Sequence, residues 1–313
     1  MSRYRNNLPQ TGSDIFLTDG GLETCLVFQD GLELPEFAAF DLLKTKEGAQ
    51  RIDRYLDKYT QIAIDHGTGF VLQTPTWRAS PHWGQKLGYS KDEIAAINRR
   101  AIETLEIKRS ALSPSIEHIV ISGCIGPQGD GYDASNAPSI ETARAYHAFQ
   151  IGVFQDTAAD MVSAMTMTTS DEATGIVFAA RDADMPVVIG FTVETDGSLP
   201  NGEALSEAIT RVDAATDGYA AYFIINCAHP THFASAFKQG EDWMERIRGL
   251  RANASVCSHE ELDNAEELDE GDPQDLGARY AALRETFPQL TVLGGCCGTD
   301  HRHIKAIAEA CCR

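Results

Sequence analysis

The chain has 313 residues, and 43% of them are hydrophobic, so it is long and apolar enough to bury a large core. Its 26 Lys and Arg residues against 46 Asp and Glu residues give a net charge of −20. Such a charge argues against nucleic acid or an anionic membrane as a partner, because either would need a basic face. A small-molecule substrate is the expected partner.

The beginning of the chain has no hydrophobic signal core before Pro9, and no run approaches the roughly 20 apolar residues of a membrane span. We therefore expect a cytoplasmic protein. Eight cysteines in such a protein suggest metal binding or catalysis rather than a disulfide framework.

From residue 15 onward, short apolar runs alternate with longer amphipathic stretches, a pattern typical of repeated βα units. Eight strands are predicted, at 15–19, 69–74, 118–123, 160–166, 186–193, 219–227, 247–252 and 290–294. Helices are predicted between them, at 47–66, 90–110, 139–157, 170–182, 202–214, 273–287 and 301–311. No Gly-x-Gly-x-x-Gly follows the first strand, which argues against an open doubly wound sheet. We predict an α/β protein, a single (β/α)₈ TIM barrel domain with parallel strands over residues 1–313.

Three cysteines lie at the ends of predicted strands. Cys227 ends the sixth strand, and the adjacent Cys296 and Cys297 follow the eighth between glycines. The carboxyl ends of all strands of such a barrel share one face, so the three thiols would meet there. Three thiolates suit Zn²⁺ and leave a fourth position open for a substrate atom. We predict these three residues as zinc ligands; the alternative is that they are buried apolar packing residues.

Zinc held by thiolates favours one chemistry, the alkylation of sulfur. A thiol that enters the open position loses its proton because the metal stabilises its thiolate. This sulfur can attack the methyl group of a sulfonium or quaternary ammonium donor in line, while the protein positions the two partners and excludes water. No catalytic residue beyond the metal-activated substrate thiolate is predicted.

Three segments together resemble the homocysteine S-methyltransferase family, which includes betaine–homocysteine and S-methylmethionine–homocysteine methyltransferases. They are Asp-Gly-Gly-Leu-Glu-Thr at 19–24, Asn-Cys at 226–227 and Gly-Gly-Cys-Cys-Gly-Thr at 294–299, and the match runs in order over nearly the whole chain. The resemblance implies a zinc-containing barrel enzyme that methylates homocysteine to methionine, as in methionine biosynthesis. Cys227, Cys296 and Cys297 would be its zinc ligands. The donor would be S-methylmethionine, S-adenosylmethionine or a betaine.

The resemblance also implies where the acceptor binds. Asp19 would bind the ammonium group of homocysteine, although an aspartate before two glycines can also be a simple turn former. For Gln73 and Thr74 the alternative is ordinary hydrogen bonding at a strand end. The predicted substrate-binding residues are Asp19, Gly20, Gly21, Gln73, Thr74, Asn226 and, for the donor, Trp77.

One position departs from the family. Relatives usually have a glutamate after the fourth strand as a second carboxylate for the ammonium, and alignment on 171–173 puts Met165 there. A thioether cannot pair with an ammonium, so homocysteine would be held differently, or the acceptor would be another thiol or a selenol. A further hypothesis is a non-catalytic zinc barrel that binds a metabolite.

The donor site is less visible in the sequence. Trp77 follows the second strand, and its ring could hold an onium group by cation–π attraction or simply pack in a loop. The acidic segment 258–275 is interpreted as a solvated loop or short helix, with attraction of a cationic donor as the alternative. For His229 and His232 we favour hydrogen bonding within a loop, or contact with the substrate, over metal ligation. Barrels of this kind often pair through their helices, which makes a homodimer one candidate assembly.

Overall fold

Eight parallel strands close into a barrel in chain order in the computed structural model, which describes residues 2–265 and 267–312. The strands are β1 Phe16–Leu17, β2 Gly69–Gln73, β3 Ile119–Ile125, β4 Met161–Met167, β5 Val187–Phe191, β6 Tyr222–Asn226, β7 Ile247–Ala252 and β8 Val292–Gly295. The ring closes where Phe16 pairs with Val292 in a parallel register. The predicted (β/α)₈ barrel is confirmed.

Helices surround the barrel and connect successive strands. They are α1 Leu22–Thr24, α2 Lys46–His66, α3 Pro81–Lys86, α4 Lys91–Leu112, α5 Ile140–Gln155, α6 Ser170–Asp182, α7 Leu205–Thr216, α8 Pro230–Phe233, α9 Asp242–Glu245, α10 His259–Asp263, α11 Pro273–Thr286 and α12 His301–Cys311. Among the described residues, no helix is long and apolar enough to cross a membrane.

Most predicted boundaries differ from the observed ones by a few residues, with two informative exceptions. The first strand is two residues long rather than five, although the Thr18 amide still donates to the Leu293 carbonyl of β8 at 2.9 Å. The helix predicted at 202–214 starts only at Leu205, because Gly202 has a left-handed backbone (φ 81°) and cannot begin a right-handed helix.

Successive side chains along each strand point alternately outward and inward, so the buried apolar residues form two layers, one between the strands and the helices and one inside the barrel. In β2, Phe70 and Leu72 pack outward against the helices while Val71 points into the barrel. The N-terminal segment covers the N-terminal end of the barrel, where the amide of buried Gln10 donates to the Tyr222 hydroxyl at 3.3 Å. The C-terminal end of the barrel is therefore the one left open for a site.

Candidate metal centre and substrate pocket

Cys227, Cys296 and Cys297, hereafter the cysteine trio, meet at the C-terminal end of the barrel. Their sulfur atoms all lie within 4.8 Å of one another, and those of Cys227 and Cys297 are 3.8 Å apart. Tetrahedral zinc with Zn–S bonds of about 2.3 Å requires sulfur separations of about 3.8 Å. The trio therefore fits a zinc ion with little rearrangement, and among the described residues no further Cys, His, Asp or Glu joins it.

The backbone that delivers Cys227 is unusual. Cys227 has φ 55°, and Thr166 at the end of β4 has φ 66°; non-glycine residues rarely adopt this left-handed region. The Asn226 side chain holds the two segments together, because its amide donates to the Thr166 hydroxyl at 2.9 Å and its carbonyl accepts from the Thr166 amide at 3.0 Å. These two bonds and the burial of Asn226 stabilise a conformation that aims Cys227 into the barrel mouth.

Close packing explains the glycines before the cysteine pair. A Cβ atom at Gly294 would lie 1.8 Å from the Thr18 hydroxyl oxygen, and one at Gly295 would lie 2.1 Å from that of Thr299. Only glycine lets β8 approach its neighbours so closely. The Cys296 amide then donates to the Ala252 carbonyl of β7 at 2.8 Å, which anchors the turn that presents both thiols.

The Tyr132 hydroxyl contacts the trio from the loop after β3. Its oxygen lies 3.5 Å from the sulfur of Cys227 and 3.7 Å from that of Cys297. Without metal, hydrogen bonds from the thiols of Cys296 and Cys297 lower the pKa of Cys227 well below its usual range. The same contacts raise the pKa of Cys297. The pKa of Cys296 is raised as well, so Cys227 is the sulfur of the trio that ionises first.

A cavity of about 450 Å³ opens over the trio. Its floor includes the predicted residues Asp19, Gly20, Gly21, Gln73, Thr74 and Asn226. Its mouth contains the exposed rings of Phe28 and Phe37, and the half-buried Trp77 also lines it. The cavity thus extends from the trio to aromatic rings that are exposed to solvent.

Asp19 lies on the floor but is already paired. Arg251, near the end of β7, donates to one Asp19 carboxylate oxygen at 2.8 Å, and the Tyr55 hydroxyl donates to the other at 3.2 Å. Burial raises the pKa of Asp19, while Arg251 and Tyr55 lower it. The guanidinium also donates to the Gly295 carbonyl at 3.1 Å and to the Gln73 side chain. A substrate ammonium would have to share or displace this ion pair.

Glu23 is the second carboxyl group of the cavity interior. It lies on α1 just after the Asp-Gly-Gly segment, and burial raises its pKa to about 7. Among the described residues it has no salt-bridge partner, and its local contact is with its own backbone amide. Met165 also lines the cavity and is 7% exposed, so the fourth strand contributes a thioether and no charge, as the sequence indicates.

Trp77 and Thr74 have internal partners. The Trp77 indole donates to the Met165 carbonyl at 3.1 Å, and the Arg78 guanidinium lies 4.1 Å from the centre of its ring. The Thr74 hydroxyl accepts from the Cys124 amide at 2.8 Å. Both residues line the cavity, and their binding roles stay predictions.

The two histidines near Cys227 form hydrogen bonds with groups outside the trio. His229 caps α8, with Nδ1 2.8 Å from the Thr231 hydroxyl, and His232 Nε2 is 2.9 Å from the Val256 carbonyl. Part of the acidic segment, including Leu268 and Asp269, lines the cavity mouth, while its Glu266 lies outside the described residues.

The family model for homocysteine S-methyltransferase matches residues 16–311. The chain belongs to this family. It is accordingly a methyltransferase of the homocysteine S-methyltransferase kind, as the sequence indicates. No curated protein matches the chain.

Solved structures of the Escherichia coli homocysteine methyltransferase MmuM share the fold. The oxidized and metallated forms each superpose with a TM-score of 0.70 at 18% identity, and the match covers 95% of this chain and 96% of the MmuM chain. The apo form gives a TM-score of 0.64 with the same identity and coverage. At this identity the likeness supports the barrel, and the chemistry of this chain is argued from its own site.

Sequence reasoning missed three residues of the pocket. Arg251 falls inside a predicted strand, where a charge at the carboxyl end of an apolar run was the available signal. Glu23 stands within the opening motif but was not singled out. Tyr132 stands in a loop whose sequence gives no indication of contact with the distant cysteines.

Proposed function

We propose that this protein is a zinc-dependent S-methyltransferase that moves a methyl group from an onium donor to a thiol, with homocysteine as the acceptor and methionine as the product. The observation behind the proposal is the cysteine trio, whose sulfur separations suit tetrahedral zinc with one open position. The family, and the homocysteine methyltransferase activity named for MmuM, support homocysteine as the acceptor.

The trio would hold Zn²⁺, which when bound lowers the pKa of a coordinated thiol so that the acceptor sulfur reacts as a thiolate near neutral pH. The acceptor sulfur forms a bond to the methyl carbon as the carbon–sulfonium or carbon–ammonium bond breaks. The bonding electron pair stays on the departing sulfur or nitrogen, which leaves neutral, and the thiol proton passes to solvent. The barrel floor and the Tyr132 loop position the acceptor and limit access of water.

The cavity mouth suits an onium donor such as S-methylmethionine, S-adenosylmethionine or a betaine. Phe28 and Phe37 are 45% and 49% exposed, and their rings can contact methyl groups on a cationic centre. The exposed carboxylates of Glu267 and Asp269 add negative potential on the same side. The Arg78 guanidinium stacks on Trp77, so Phe28 and Phe37 are the freer aromatic surfaces.

A matrix of donors and acceptors tests the proposal. Zinc-loaded protein is incubated with each of the three donors and with homocysteine or other thiols, and methylated products are measured by mass spectrometry. We expect homocysteine to give methionine with at least one of the donors. Removal of zinc should abolish product formation, and restoring zinc should recover it. Turnover that survives complete zinc removal would contradict the mechanism, and methylation of other thiols but never homocysteine would contradict the acceptor.

A further inference from the structure

The floor of the cavity has an unbalanced charge. Asp19 and Arg251 neutralise each other at 2.8 Å, whereas Glu23 faces the same cavity without a cationic partner among the described residues. The three other carboxylates of the cavity lining, Asp130, Glu267 and Asp269, are exposed to solvent. Solvent stabilises exposed carboxylates, but a partly buried one without a partner favours any ligand that brings a positive charge.

Glu23 also lies at the metal end of the cavity. It is two residues from Gly21, where an added Cβ would lie 2.5 Å from the Cys296 carbonyl oxygen, so α1 packs directly against the cysteine turn. Glu23 and both cysteines of this turn line the same cavity. A molecule with its sulfur at the trio can therefore extend toward Glu23.

We propose, on the basis of the function proposed above, that Glu23 binds the ammonium group of the acceptor and so selects amino thiols over thiols that lack a positive charge. Met165 leaves the neighbouring strand end uncharged, and Arg251 holds Asp19, so Glu23 is the carboxylate that remains free for this contact. Asp19 then acts indirectly, by fixing Arg251 and with it the carbonyl of Gly295 and the side chain of Gln73.

The ligand-free state of Glu23 agrees with such a role. Burial raises its pKa to about 7, so the ionised form is destabilised while no ligand is bound. An ammonium within hydrogen-bond distance stabilises the ionised form and returns the pKa toward its ordinary range. A charge-assisted hydrogen bond of this kind changes binding by roughly 10- to 100-fold.

Two matched thiols test the inference by isothermal titration calorimetry on zinc-loaded protein. Homocysteine and 4-mercaptobutanoate differ only in the ammonium group. We expect the wild-type protein to bind homocysteine roughly 10- to 100-fold more tightly, and Glu23→Gln to reduce this ratio toward one. Glu285→Gln, which neutralises an exposed carboxylate on α11 outside the cavity, is the control and should keep the wild-type ratio. A purely structural effect of Glu23→Gln would weaken both thiols equally and leave the ratio unchanged.

The outcomes separate this inference from the proposed function. Equal affinities of the two thiols for the wild-type protein, or an unchanged ratio in Glu23→Gln, would overturn the role of Glu23 while leaving thiol methylation intact. A Glu23→Gln protein that keeps the ratio but loses affinity for the onium donor would assign Glu23 to the donor and also overturn the inference. If neither thiol binds the zinc-loaded wild-type protein, both the inference and the acceptor chemistry are contradicted. Binding with the expected ratio but no methyl transfer from any donor would support the role of Glu23 and contradict the proposed function alone.

Discussion

The two ends of the barrel differ in how completely their carboxylates are paired. At the N-terminal end, Asp160 accepts four hydrogen bonds, from the amides of Arg3, Tyr4 and Ile121 and from the Arg109 guanidinium, at 2.6–2.9 Å. At the C-terminal end, Glu23 has no salt-bridge partner among the described residues. The difference indicates that one end has been completed for stability and the other left incomplete for ligands, as is usual in barrel enzymes.

At the C-terminal end of the barrel, the removal of one trio sulfur should have the largest effect of all, on zinc binding and on activity. We expect Cys297→Ala to weaken zinc binding by more than about 100-fold and to abolish methyl transfer, because two thiolates cannot hold the ion as three do. Metal content after dialysis and a zinc-chelator competition assay measure the effect. Cys312→Ala, at the end of the chain and outside the trio, is the control and should retain zinc. A Cys297→Ala protein with full zinc content would show that the trio is not the site.

At the N-terminal end of the barrel, a substitution should change the stability of the fold rather than metal binding. Asp160→Asn would leave the buried Arg109 guanidinium without its anion, and we expect it to lower the free energy of unfolding by about 3–5 kcal/mol. Urea denaturation of the zinc-loaded protein measures this loss. Asp182→Asn, which breaks the half-exposed pair with Arg144, should cost less than about 1 kcal/mol. Similar losses for the two variants would mean that the N-terminal charge pair is no special source of stability.

The pH dependence of stability should show the cost of leaving Glu23 unpaired. Its pKa in the folded protein is about 7, above the ordinary value of 4.5, so between these values the folded state binds more protons than the unfolded state. The free energy of unfolding should therefore fall as pH rises through this window, by at most about 3 kcal/mol. Glu23→Gln removes this contribution. Denaturation curves at pH 5.5 and 8 should show a smaller decline for the variant, and parallel declines would argue against a raised pKa.

The smallest effect is expected where an uncharged side chain supports the site. Asn226→Ala removes the two hydrogen bonds to Thr166, and we expect it to cost about 1–3 kcal/mol of stability and to weaken zinc binding modestly. The physical reason is that the left-handed backbone of Cys227 would lose its support. Unchanged stability and zinc affinity together would show that this clamp is dispensable.

The sequence predicts the barrel and the trio because both leave local signals. Apolar runs such as 222–225 mark strands by their composition, and the glycines around Cys296 and Cys297 mark a tight turn at a strand end. The barrel geometry then brings strand ends together, which is how Cys227 could be grouped with residues about 70 positions away.

The charges of the pocket floor could not be predicted in the same way. Whether Asp19 is free depends on Arg251, which is 232 positions distant and reaches it only once the barrel closes. The environment of Glu23 is also tertiary, since its raised pKa arises mainly from burial in the assembled cavity. The contact of Tyr132 with the trio depends on the path of a loop, for which the sequence has no periodic signal.

X-ray absorption spectroscopy at the zinc edge tests the central claim most directly, because it counts the sulfur atoms bound to the metal. For the zinc-loaded protein alone we predict three sulfur ligands and one lighter atom, and four sulfur ligands after addition of homocysteine. A spectrum that already shows four protein ligands, or one that does not change when the thiol is added, would contradict an open metal site that receives the acceptor.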